Sequence, residues 1–151
     1  MAEKKVCVLQ VLASLNVGGA ESRVMDIVRN LGNTRISYDF LLHSKGDTAD
    51  AFEEEAKALG CHIYRVPRFY FLNWFSYKKA MKEFFESHPE IDIVQGHMTS
   101  TASIYLPIAK KSGVKSTIAH ARSAGVDPGF KGQLTRLLRK NLFKKTDYMW
   151  T

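Results

Sequence analysis

Two adjacent glycines and two histidines are the residues whose type and spacing could do chemistry. Gly18-Gly19 follows the valine-rich run Val6-Cys7-Val8-Leu9-Gln10-Val11-Leu12 and opens a helical segment. Glycines there let a ligand approach the backbone, and the N–H groups and dipole of a helix start favour an anion. The same pair also suits a tight turn that needs permissive backbone angles. A dinucleotide site is not expected: the pattern is not Gly-x-Gly-x-x-Gly, and no acidic residue ends the second strand to hold a ribose. A Gly-x-x-x-x-Gly-Lys-Ser/Thr phosphate loop is absent too.

His97 follows the fourth strand-like run directly, and His120 ends the fifth. Two imidazoles at one cleft can donate to phosphate or sugar hydroxyls, act as acid and base near neutral pH, or simply pack and cap. A metal is not expected, because no third ligand stands at a fitting spacing. Arg122-Ser123 comes two residues after His120, and an arginine fork there suits a phosphate or carboxylate as well as a plain surface position. Ser14 and Asn16, just ahead of the glycines, can hydrogen-bond a sugar or phosphate or merely shape the turn. His43, His62 and His88 read as structural or solvated.

The elements that must position these groups alternate. The run 6–12 reads as a strand buried on both faces. Ala20, Val24, Ile27, Val28 and Leu31 then form one helical stripe, stopped by Gly32-Asn33. A strand is expected at 38–43, a helix at 50–59 and a strand at 61–66. A helix at 74–87 puts Trp74, Tyr77, Met81, Phe84 and Phe85 on one face. A strand at 91–96, a helix at 99–112 bent by Pro107, and a strand at 115–120 follow. A helix at 130–145 buries Leu134, Leu137, Leu138 and Leu142, and a sixth strand opens at 148. Such alternation implies a doubly wound parallel sheet with helices on both faces, a three-layer Rossmann-like α/β fold in the order 3-2-1-4-5-6. Ser14, Asn16, Gly18, Gly19, His97, His120, Arg122 and Ser123 then collect at the carboxyl edge, where doubly wound folds bind ligands. Cys7 and Cys61 fall two strands apart, roughly 9–10 Å, too far for a disulfide.

A chain of 151 residues, 45% hydrophobic and 25% charged, is one ordinary globular domain. No apolar run approaches the roughly 18 residues that span a bilayer, and the first residues do not read as a secretory signal. The charge is unusual: 22 Lys and Arg against 15 Asp and Glu give +7. An anionic partner is implied, whether nucleic acid, membrane surface or phosphorylated small molecule. Arg65, Arg68, Lys78, Lys79 and Lys82 interleave with Phe69, Tyr70, Phe71, Trp74, Phe75 and Tyr77, and a second basic set runs from Lys131 to Lys145. That mixture fits an interfacial membrane anchor, a single-strand nucleic-acid platform or a solvated face. With no helix-turn-helix, RNA-recognition signature or zinc finger, nucleic acid is not an expected partner.

Val8-Leu9-Gln10-Val11-Leu12 followed by Asn16-Val17-Gly18-Gly19-Ala20-Glu21-Ser22-Arg23-Val24 resembles the opening of family 4 glycosyltransferases of the GT-B fold. Ile91-Asp92-Ile93-Val94-Gln95-Gly96-His97, Ala109-Lys110-Lys111-Ser112-Gly113-Val114 and Thr117-Ile118-Ala119-His120-Ala121-Arg122 match later segments in order and spacing, as in capsule and exopolysaccharide enzymes. The resemblance spans the whole chain. It implies retaining transfer of a sugar from a nucleotide-sugar to a glycan or lipid-linked acceptor, in a cleft between two Rossmann-like domains. Gly18 and Gly19 match the loop that approaches the donor phosphates, His120 the active-site histidine, and His97 a frequently polar cleft position. Arg122 stands where relatives often carry His or Asn. The Glu-x7-Glu donor motif is not found, so residues 1–151 resemble an acceptor-side N-terminal half whose partner is its own C-terminal domain. Alone, such a half is expected to bind donor weakly and turn over nothing measurable. The nucleotide-sugar is a co-substrate; no cofactor or metal is implied. The expected location is cytoplasmic, with a peripheral position on the inner face of the plasma membrane suggested by the charge. Another Rossmann-like nucleotide-binding enzyme domain, or a basic membrane-surface module, are the alternatives.

Overall fold

The computed structural model describes residues 3–32, 34–121, 128–140 and 142–151. In chain order the elements are β1 (Val6–Leu12), α1 (Gly19–Asn30), β2 (Ile36–Leu42), α2 (Glu53–Ala58), β3 (Ile63–Arg65), α3 (Trp74–Ser87), β4 (Ile91–Gly96), α4 (Thr99–Lys111), β5 (Ser116–His120), α5 (Phe130–Arg139) and β6 (Tyr148–Trp150). All six strands are parallel, in the order β3-β2-β1-β4-β5-β6. The Rossmann-like doubly wound arrangement expected from the alternation is the one observed.

Side-chain alternation along the strands builds a core on each face of the sheet. Cys7, Leu9, Val11, Leu41, Val94 and Ala119 pack with Tyr77, Met81, Phe84 and Phe85 of α3 and with Tyr105, Leu106 and Ala109 of α4. On the opposite face, Leu12, Phe40 and Leu42 pack with Val24, Met25 and Val28 of α1 and Ala56 of α2. Both cysteines are free and buried; burial pushes the Cys7 thiol up to about 12 and the Cys61 thiol up to about 11.

Several boundaries depart from the sequence expectations, each for a local reason. The buried face of α1 is turned toward Met25, so Ile27 stays exposed. The segment before α2 turns rather than coils, because the Asp50 carboxylate is drawn to the backbone N–H of Leu15 at 2.7 Å. β3 starts two residues late, since the His62 N–H donates to the Asp39 carboxylate at 2.8 Å and not to a neighbouring strand. The last helix stops at Arg139: Lys140 is extended, with φ −56° and ψ 126°. Leu142 reaches the core from a separate 3-10 turn, Leu142–Lys144, while Leu137 faces outward.

Two carboxylates, Asp92 buried and Asp147 partly exposed, secure strand starts. Asp92 accepts the Cys7 N–H at 3.0 Å and the Lys115 ammonium at 2.6 Å. Asp147 accepts the Lys110 ammonium at 2.9 Å, the Thr117 N–H at 2.8 Å and the Thr117 hydroxyl at 3.1 Å, fixing β6 beside β5. Chiefly through these lysine bonds, both carboxyls are held below the ordinary carboxylate range.

Two predictions follow from this packing. Gly96 ends β4 beneath the fully buried Tyr105, and a Cβ there would collide with the Tyr105 hydroxyl and lie 3.0 Å from Cζ. Gly96→Ala should therefore cost about 1–3 kcal/mol in thermal or urea unfolding, and Tyr105→Phe added to it should recover part of that loss. For Asp92 and Asp147 the folded value lies below the unfolded one. Their stabilisation is complete above about pH 4 and disappears as pH falls through the folded value. Urea melts from pH 7 to pH 2 should show this loss, and Asp147→Asn should be less stable at pH 7 with a shallower decline in acid.

Candidate functional site

The register that pairs β1 with β4 sets Gln10 opposite Gln95. A glutamine inside a covered strand pays for its burial unless both ends of its amide are bonded. Here the two glutamines, 1% and 8% exposed, satisfy each other: Gln10 Nε2 donates to Gln95 Oε1 at 3.0 Å. The pairing extends to both histidines. His97 Nε2 donates to Gln10 Oε1 at 2.6 Å, and Gln95 Nε2 donates to His120 Nδ1 at 3.4 Å. The imidazole centroids lie 5.3 Å apart at 48°, and Trp150 stands edge-on to His120 at 6.1 Å. His97 and His120 thus share one site at the carboxyl edge, joined by a side-chain chain across β1, β4 and β5. Sequence reasoning missed Gln10 and Gln95. The available signal was a polar residue near the carboxyl end of each of two largely apolar strands, Gln10 two places before the end of β1 and Gln95 one place before the end of β4.

The glycines resolve differently from the turn reading. Gly18 is extended, with φ −159° and ψ 167°, a conformation open to any residue. Neither Gly18 nor Gly19 has positive φ. Permissive angles are therefore not why they are glycines. A Cβ on Gly19 would meet nothing within 4 Å, and one on Gly18 would meet only the Glu21 carboxylate, which folds back over the helix start. Gly18, the cap residue of α1, has no side chain to close the helix start with a hydrogen bond. The first turn of a 12-residue helix thus opens on two residues without side chains at the same strand edge, with the Glu21 carboxylate lying over Gly18.

The remaining predicted residues separate. Asn16 is engaged at both ends of its amide: Nδ2 donates to Asp50 Oδ1 at 2.7 Å, and Oδ1 accepts the Ala51 N–H at 3.0 Å. It braces the loop after β1 against the loop after β2. Ser14 instead lines a cleft of about 820 Å³ on the α3–α4–α5 side of the sheet. Arg122 and Ser123 lie outside the described residues.

That cleft presents the hydroxyls of Ser14, Ser100, Thr101 and Thr135 together with the cations Lys45 and Arg68. His43 forms part of its wall. Its Nε2 accepts the Tyr77 hydroxyl at 2.6 Å, and burial pushes it down to about 4, so it is a neutral structural group at pH 7. Exposed apolar side chains stand in the segments that contribute to the cleft's wall. Tyr70 and Phe71 line it, Leu72 beside them is fully exposed, Phe75 is 87% exposed, and Phe130 and Leu137 project from α5. Among the described residues, no three His, Cys, Asp or Glu side chains are grouped to hold a metal ion.

No protein-family model matches the chain. The putative glycosyltransferase EpsF of Bacillus subtilis (strain 168) is 26% identical over 137 residues, covering 89% of this chain and 35% of that protein. The crystal structure of Acinetobacter baumannii MurG superposes with a TM-score of 0.60 at 12% identity, over 95% of this chain and 40% of that one. Anabaena HepE, solved in complex with UDP, gives 0.61 at 13% identity, over 94% and 35%. The chain therefore spans about a third of the length of its curated relative. At such identities the two solved structures speak for the fold. The chain has the fold of the N-terminal, Rossmann-like domain of a GT-B glycosyltransferase.

Proposed function

We propose that this chain is the acceptor-side half of a retaining glycosyltransferase that moves a sugar from a nucleotide-sugar to a glycan or lipid-linked acceptor in exopolysaccharide or capsule synthesis. The observation that carries the reading is the single strand edge where a helix start opened by two glycines accompanies a hydrogen-bonded histidine pair. The glycine loop supplies N–H groups to the donor phosphates, and Glu21 withdraws when that charge arrives. His120 donates to the transferred sugar or its leaving phosphate, and His97 completes the cleft beside it. The hydroxyl-lined cleft, with Lys45 and Arg68, takes an acceptor bearing sugar hydroxyls and phosphate. The UDP in the HepE structure and the name of the B. subtilis relative support this class of chemistry. A C-terminal domain supplies the rest of the donor site.

The same reading places the protein on the cytoplasmic face of a membrane. Leu72, Phe75, Phe130 and Leu137 are exposed, with Lys78, Lys79, Lys131 and Arg136 in the same segments, and those segments also carry the cleft residues Phe71, Asn73, Thr135 and Leu138. Apolar side chains flanked by cations bind an anionic lipid interface and bring a lipid-linked acceptor to the opening.

Two measurements test these assignments. In the longer protein carrying this domain, His120→Ala should lower kcat for sugar transfer by roughly 10²–10³ with folding retained; a wild-type rate would remove His120 from the chemistry. Residues 1–151 should co-sediment with vesicles containing phosphatidylglycerol, less so at high salt, and Leu72→Ser with Phe75→Ser should weaken the binding. Sedimentation indifferent to anionic lipid would make the basic stretches a solvated face.

A further inference from the structure

The His97–Gln10–Gln95–His120 chain has a property that neither histidine has alone. A glutamine amide has one accepting end and one donating end, so a row of buried amides must run in one direction. In the observed direction, His97 Nε2 gives a proton to Gln10, Gln10 gives one to Gln95, and Gln95 gives one to His120 Nδ1. Reversing any junction reverses all three. If both histidines carried protons on the nitrogens that face the chain, the NH₂ groups of Gln10 and Gln95 would point at each other across the 3.0 Å junction, donor against donor. The junctions measure 2.6 Å at His97 and 3.4 Å at His120.

We propose that Gln10 and Gln95 are positioning residues that hold His120 neutral with its proton on Nε2, and that they couple its tautomer to His97, so that a cation in this pair resides on His97. His120 then meets its ligand as a hydrogen-bond donor, and its lone pair stays engaged by Gln95. The coupling runs through two strands. A change at Gln10, which bonds His97 and Gln95, alters the proton position on His120 through Gln95. The role assigned to His120 rests on the glycosyltransferase reading, whereas the proton positions do not.

Long-range ¹⁵N–¹H correlation spectra of the imidazoles in residues 1–151 at neutral pH read this directly. In the wild type, His120 should show a pyridine-type Nδ1 and a pyrrole-type Nε2. Gln95→Glu replaces the donor facing His120 with an acceptor and should move the proton to Nδ1. Gln10→Glu leaves only acceptors beside Gln95, so Gln95 turns its NH₂ toward position 10 and its carbonyl toward His120; His120 Nδ1 should again gain the proton. A local packing role for Gln10 would not produce that remote exchange of signals. A wild-type His120 protonated on Nδ1 would overturn the proposal, and so would folded Gln95→Glu and Gln10→Glu variants that both keep the proton on Nε2. The wild-type spectrum decides even if a variant does not fold. Transfer that depends on His120 without these proton positions would leave the enzymatic reading standing and this one refuted; the positions without transfer would do the reverse.

Discussion

The seam between β1 and β4 is the constraint on which the rest of the molecule hangs. It is where the sheet changes direction, with β2 and β3 built outward on one side and β5 and β6 on the other. Two unlike polar contacts hold it. At the amino end, the Asp92 carboxylate takes the Cys7 N–H, and the ladder shifts register between Cys7 and Val8. At the carboxyl end, Gln10 and Gln95 meet amide to amide. Apolar strands tolerate sliding by two residues at modest cost, because such a slip keeps every side chain on its face. A buried amide pair and a buried carboxylate do not tolerate it, since each slip strands a desolvated polar group. The same contacts that fix the register therefore fix where the histidines stand.

From that seam the edge divides into two regions. The α1 face carries the glycine-opened helix start, above a core of Val24, Met25 and Val28 against Leu12, Phe40 and Leu42. The α3–α4–α5 face carries the cleft, walled by loops leaving β1, β2 and β3, by the start of α4 and by the later turns of α5. His97 follows Gly96 at the end of β4 and directly precedes Met98, a cleft residue, so it marks the border between them.

The large-scale fold was legible because it depends on features that sequence displays openly: short apolar runs, helical stripes and glycine stops. Strand four and the helix 74–87 were bounded to the residue, since each is a long uninterrupted pattern. Errors gathered where a single carboxylate overrode the pattern, as Asp50 and Asp39 do before α2 and β3, and where the backbone leaves the helix at Lys140. At the site, the edge position of His97 and His120 could be read from strand ends alone. The engagement of Asn16 with Asp50, 34 residues away, could not. Nor could the glutamine pair, because an isolated polar residue in a strand gives no hint of its partner until the register is known. Gly18 and Gly19 were located correctly, but their ordinary backbone angles are visible only in the fold.

The burial of Cys7 and Cys61 has a practical consequence. Nucleophilic attack by a thiol requires the thiolate. With both side chains sealed in the two cores and their ionisation pushed far into the alkaline range, maleimides and mild oxidants find almost nothing to react with at neutral pH. The native chain thus behaves toward such reagents as though it had no cysteine. A single cysteine placed at the fully exposed position 72 would be the one accessible thiol, and a fluorophore or spin label could be attached between the cleft residues Phe71 and Asn73 with the wild-type background left in place.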